Sequence, residues 1–190
     1  VSKPEIIICR NPDELNHRAA EQFVALAADA IARAGRFAAA LSGGSTPKAL
    51  YALLASPTYR ERVDWSRVHL FWGDERCVPP NHPDSNFRMV QESLLSKTEI
   101  PSESIHRMAG EKEPEPAASE YQHRLGKFFN STDLPRFDLV YLGLGEDGHT
   151  ASLFPGSAAV SENERWVATA YVERLRAYRL TLTLPVINAA

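Results

Sequence analysis

The chain has 190 residues, 44% hydrophobic and 24% charged, enough for one domain with a full core and too ordinary in composition for disorder. Its formal net charge is -3, with 21 Lys and Arg spread without a basic run, so the electrostatic footprint of a nucleic-acid binder is missing. Ile6-Ile7-Ile8 before Arg10 is too short for a signal-peptide core or a membrane span, and Cys9 and Cys77 read as reduced thiols, so neither a membrane partner nor export is expected and the location is predicted to be cytoplasmic.

In chain order, the β-branched run 5–9 predicts a buried strand. Asn11-Pro12-Asp13-Glu14 then supplies an N-cap, an N1 proline and an N3 acid. The helix that follows is expected to bury Leu15, Ala19, Phe23, Ala27 and Ile31 and to stop at Gly35. Residues 37–41 predict a strand, 47–55 a helix and 68–72 a strand. A helix is expected over 84–95, a Pro- and Glu-rich loop over 111–116, a helix over 117–129 and an apolar strand over 137–142. Strands over 166–171 and 179–184 follow, and Pro185 opens a last helix. Alternation of this kind predicts a single α/β domain over 1–190: a Rossmann-like, mainly parallel sheet with helices on both faces and right-handed βαβ crossovers.

In such a sheet the ligand site forms beyond the carboxyl ends of the strands, and three segments there are polar and glycine-rich. Ser42-Gly43-Gly44-Ser45-Thr46-Pro47-Lys48 suits an anion: glycines let amides approach, Thr46 can cap, and Pro47 starts a helix whose positive end faces the turn. Its spacing is not that of a Walker A loop, so a monophosphate ester fits better than a nucleoside triphosphate. The second segment is Gly73-Asp74-Glu75-Arg76, followed by His82-Pro83-Asp84-Ser85-Asn86. The third runs from Gly143 to Gly156. Its first six residues satisfy Gly-x-Gly-x-x-Gly, but Glu146 and Asp147 would repel a pyrophosphate, so no dinucleotide is expected. His149 has a permissive glycine and an acid beside it that can orient its imidazole, which makes it an acid–base candidate.

Taken together these segments resemble the 6-phosphogluconolactonase family, grouped with the glucosamine-6-phosphate deaminases and isomerases, over nearly the whole chain. The resemblance implies that Gly43, Gly44, Ser45 and Thr46 line a phosphate site, that Arg179 adds a guanidinium to it, and that His149 is the base. It also implies that the family's chains continue past 184–190 into another strand and helix bearing a further basic residue near the phosphate. The deaminase branch is expected to carry a glutamate five residues after the histidine, where this chain has Phe154, and a tyrosine where it has Arg76. A sugar-phosphate-sensing domain is the non-enzymatic alternative. The expected chemistry is attack of a His149-activated water on 6-phospho-D-glucono-1,5-lactone, with Asp147 or Asp74 orienting the imidazole. Arg76 or nearby amides would stabilise the oxyanion. Gly-x-Ser-x-Gly is absent, so no covalent serine intermediate is expected. Neither a cofactor nor a metal is expected, and the protein is expected to be a monomer.

Overall fold

The computed structural model describes residues 4–131 and 133–190. Its elements are α1 (Pro12–Ala34), β1 (Phe37–Leu41), α2 (Ser45–Leu54), α3 (Pro57–Arg60), β2 (Val68–Trp72), β3 (Asp74–Arg76), α4 (Asn86–Ser93), β4 (Ile105–His106), α5 (Pro114–Phe129), β5 (Leu139–Val140), β6 (Val167–Val172), β7 (Ala177–Leu182) and α6 (Leu184–Asn188). They form a parallel sheet ordered β4-β2-β1-β5 and an antiparallel sheet ordered β3-β7-β6.

The central strand β1 is Phe-Ala-Ala-Ala-Leu and is buried along its whole length, as a parallel strand covered on both faces must be. Beside it β2 contributes Phe71, whose ring packs within 5.2 Å of Phe128 and Phe137 between centroids. The first helix begins and ends where its sequence dictates. Asn11 accepts the Glu14 N–H at 2.8 Å, and Gly35 closes the other end in the left-handed region at φ 72°. Its buried face is Asn16, Ala20, Phe23, Val24, Ala27 and Ala30, while Leu15 is exposed. A row spaced by four residues drifts about 40° per step around a 3.6-residue helix, so the expected row cannot stay on the core.

Two tyrosine hydroxyls close the carboxyl ends of the central strands. Tyr51 accepts the Ser42 N–H and donates to the Ser42 carbonyl, both at 3.0 Å. Tyr121 does the same to Trp72, at 2.9 and 3.2 Å. Each phenol is buried, and burial raises its pKa. The peptides at which the ladders stop are thereby satisfied, and the loops toward the site leave from fixed points.

Several expectations are corrected. Residues 5–9 form no strand; Ile6 and Ile8 are 84% and 89% exposed, and β-propensity acts through cross-strand packing that these side chains lack. The late strands do not extend the parallel sheet: β6 and β7 form an antiparallel hairpin, to which 74–76 adds a third strand. Only Leu139 and Val140 of 137–142 pair with β1. The Pro-rich stretch is not all loop, since α5 starts at Pro114; proline fits a first turn, where its missing N–H would have no partner.

Candidate active site

A cavity of about 310 Å³ opens where the turn after β1, the β3–β7 ladder and the loop 143–154 converge. Asp147 stands outside the lining; of the residues singled out in the sequence, Gly43, Gly44, Asp74, Arg76, His149, Phe154 and Arg179 line it. Ser45 and Thr46 do not. The helix begins two residues earlier than expected, with Gly44 rather than Thr46 at the cap, which leaves both side chains exposed in the first turn of α2. His82 and Asp84 lie outside the cavity and face solvent, 3.8 Å apart.

The imidazole of His149 is held through Nδ1, which lies 2.5 Å from Asp147 Oδ1; the same oxygen accepts the His149 backbone N–H at 3.2 Å. These two bonds, the side-chain one first, keep the Asp147 carboxyl below the usual carboxylate range. An acid on Nδ1–H leaves Nε2 as the basic nitrogen. Gly145 is required by this packing, since a Cβ there would come within 2.2 Å of the imidazole. No helix follows the Gly-x-Gly-x-x-Gly stretch: Gly145 N–H bonds to the His149 carbonyl at 2.8 Å, which closes a turn instead. The ring of Phe154 packs 4.3 Å from that of His149.

The two acids considered for orienting the imidazole therefore separate. Asp74 makes no hydrogen bond to His149; it accepts from Ser152 Oγ at 2.8 Å and Asn86 Nδ2 at 3.3 Å. Burial raises the Asp74 pKa, opposed by the Ser152 bond and the nearby arginines. The Asn86 amide also donates to the Asp74 backbone carbonyl at 3.0 Å and lies against Gly43, where a Cβ would come within 2.0 Å of Asn86 Oδ1. The turn after β1 is thus locked to β3 through a position that admits no side chain. Next to Asp74, buried Glu75 accepts the N–H groups of Arg76, Asn86 and Phe87 at 2.7 to 2.8 Å and fastens the start of α4 to the same strand.

Charge is concentrated on one side. In the antiparallel register Arg76 stands directly opposite Arg179, and Arg174 joins them on the cavity wall. Three guanidiniums face a single carboxylate, Asp74, among the lining residues. Burial and then the adjacent Arg76 lower the Arg179 pKa. Arg76 Nη1 donates to the Asp84 carbonyl at 2.6 Å, while its buried Nε has no partner. Arg174, Ser152 and Asn86 were not assigned to the site from sequence, although Ser152 and Asn86 lie inside the segments 143–156 and 82–86 that carry the resemblance; an arginine on an exposed hairpin carries no periodic or motif signal. Among the described residues no group of three or more His, Cys, Asp or Glu could hold a metal ion, and no helix is long and apolar enough to cross a membrane.

Residues 10–190 match the family described as glucosamine-6-phosphate isomerases/6-phosphogluconolactonase. A 6-phosphogluconolactonase of Nostoc sp. is 43% identical over 164 residues, covering 85% of this chain and 66% of that protein. The chloroplastic 6-phosphogluconolactonase 3 of Arabidopsis thaliana is 41% identical over 82% of this chain and 50% of its own length. The chain thus spans about half to two thirds of these curated relatives. The solved structure of a 6-phosphogluconolactonase from Trypanosoma cruzi superposes with a TM-score of 0.88 at 32% identity, covering 99% of this chain and 77% of that one. The fold, the match over 10–190 and the glycine-bounded loops around one cavity agree, and the chain belongs to the glucosamine-6-phosphate isomerase/6-phosphogluconolactonase family.

Proposed function

We propose that this protein hydrolyses 6-phospho-D-glucono-1,5-lactone to 6-phosphogluconate, the lactone-opening step of the oxidative pentose phosphate pathway. The observation that carries this reading is the cross-strand pair Arg76 and Arg179 in one cavity with His149, whose imidazole is held from outside the lining by Asp147. Like charges directly opposite one another on a ladder destabilise it, so the arrangement favours a bound dianion, and a phosphate ester supplies one. Gly43 and Gly44, at the start of α2, add a backbone surface that suits the same group.

With the phosphate held by the arginines, Nε2 of His149 takes a proton from water as the water oxygen attacks the lactone carbonyl. The tetrahedral intermediate collapses by breaking the bond to the ring oxygen, and the imidazolium returns the proton to that oxygen. Asp147 keeps the imidazole in the tautomer this requires. Phe154 against the imidazole argues against aminosugar deamination, because an apolar ring cannot pass the proton that ring opening needs. The same reading has the protein acting as a monomer, without metal or cofactor, in a reducing cytoplasm that suits the free thiols Cys9 and Cys77.

The test is a substrate comparison on the purified protein, with uncatalysed lactone hydrolysis subtracted at the same pH. Hydrolysis of fresh 6-phosphogluconolactone with no ammonia from glucosamine 6-phosphate is expected. Comparable ammonia release would move the chain to the deaminase branch, and tight sugar-phosphate binding without turnover would make it a sensor.

A further inference from the structure

We propose that Ser152 is a positioning residue that fixes the distance between His149 and the Arg76–Arg179 pair, an inference that rests on the lactonase reading. Ser152 is only 1% exposed, yet it is polar and stands three residues after the imidazole. It is gripped at two points by residues directly opposite each other on the antiparallel ladder, Asp74 and Thr181. Its hydroxyl donates to Asp74 Oδ2 at 2.8 Å, and its backbone N–H donates to Thr181 Oγ1 at 3.3 Å.

The approach to this clasp is shaped to deliver the side chain. Ala151 lies in the left-handed region at φ 49°, unusual for a residue with a Cβ. Leu153 N–H closes the turn onto the Thr150 carbonyl at 2.9 Å. The chain therefore reverses immediately after His149 and drives Ser152 into the ladder. Side chains two positions apart on a strand share a face, so Asp74 and Arg76 point the same way, as do Thr181 and Arg179. One ladder thus carries the anchor of the catalytic turn and, about 7 Å along it by strand geometry, the paired guanidiniums. That spacing acts as a ruler between the base and the phosphate at the far end of the substrate. A small misplacement of a catalytic group is expensive in rate, whereas a remote phosphate is held alike in ground and transition states, so the ruler acts on kcat rather than KM.

Two variants of the full chain test the clasp. Ser152→Ala should lower kcat about tenfold with KM within about twofold, and Thr181→Val, which removes the second grip without changing shape, should give a smaller loss of the same kind. Independently of turnover, the ring ¹⁵N and ¹H resonances of His149 should shift in Ser152→Ala without substrate. Wild-type kcat in both variants, a rise in KM at unchanged kcat, or an unmoved His149 ring would overturn the proposal. If Ser152→Ala does not fold, Thr181→Val carries the same kinetic and spectroscopic comparison. An inactive wild-type protein would instead sink the lactonase reading, while the His149 resonances would still decide whether Ser152 positions the ring.

Discussion

The parallel and antiparallel sheets meet at Gly73, whose N–H bonds to Leu41 of β1 at 2.9 Å and whose carbonyl accepts the Leu182 N–H of β7 at 2.8 Å. On one side lie β1 and β2, apolar and almost wholly buried. On the other, β3 is Asp-Glu-Arg, and β7 places Arg179 opposite Arg76. The first sheet is organised by burial, worth roughly 25 cal/mol per Å² of apolar surface. The second places buried polar and charged groups that its own chain leaves only partly compensated. The difference teaches that the parallel strands bury apolar core while the antiparallel ladder brings charge to the cavity, and substitutions in the core and at the cavity should separate stability from activity.

The largest effect is expected on the parallel side. Phe71→Ala, at a fully buried site in the aromatic cluster, should cost about 3–5 kcal/mol and lower Tm by roughly 10 °C, while KM of the protein that stays folded is unchanged. A Tm close to wild type would mean the cluster is not the stabilising core. In the loop after β5, His149→Ala should lower kcat by about 10²-fold with Tm retained. Near wild-type turnover, after subtraction of the background rate, would remove His149 from the mechanism.

The parallel side also carries a pH dependence. On β4, His106 is held down to about 4, first by burial, then by His69 at 3.3 Å and by Arg124. Its folded pKa lies below its ordinary value of 6.5. As pH falls from 6.5 toward 4 the unfolded chain therefore takes up a proton that the folded one refuses, and stability drops across that window. Urea unfolding at pH 7 and pH 5 should differ by on the order of 2 kcal/mol from this group, and His106→Gln should flatten the difference. An unchanged slope in the variant would assign the effect elsewhere.

Legibility in the sequence follows the same division. In the parallel sheet β1 and β2 show as continuous apolar runs and fall where those runs stand, because burial on both faces leaves a composition signal, whereas the two-residue β4, Ile105–His106, has no such run and was not expected from sequence. The ends of α1 were legible in Asn11 and Gly35 because caps are local chemistry. A strand of Asp74, Glu75 and Arg76 leaves no such signal, and its pairing with β7 is decided about a hundred residues later in the chain. The loops at the cavity could be read from Gly43, Gly44, Gly145 and His149, because glycines mark close approaches. The partners that hold them, Asn86 against Gly43 and Ser152 on Asp74, are tertiary facts with no local pattern.

The central claim is that the antiparallel ladder binds the phosphate while the loop after β5 does the chemistry. The most direct measurement is the ratio of kcat/KM for 6-phosphogluconolactone to that for unphosphorylated gluconolactone, in wild type and in Arg179→Ala. The ratio should fall about tenfold or more in the variant, through KM of the phosphorylated substrate, with turnover of the unphosphorylated lactone unchanged. A wild-type ratio near one, or a ratio that survives Arg179→Ala, would contradict the assignment of the phosphate to this ladder.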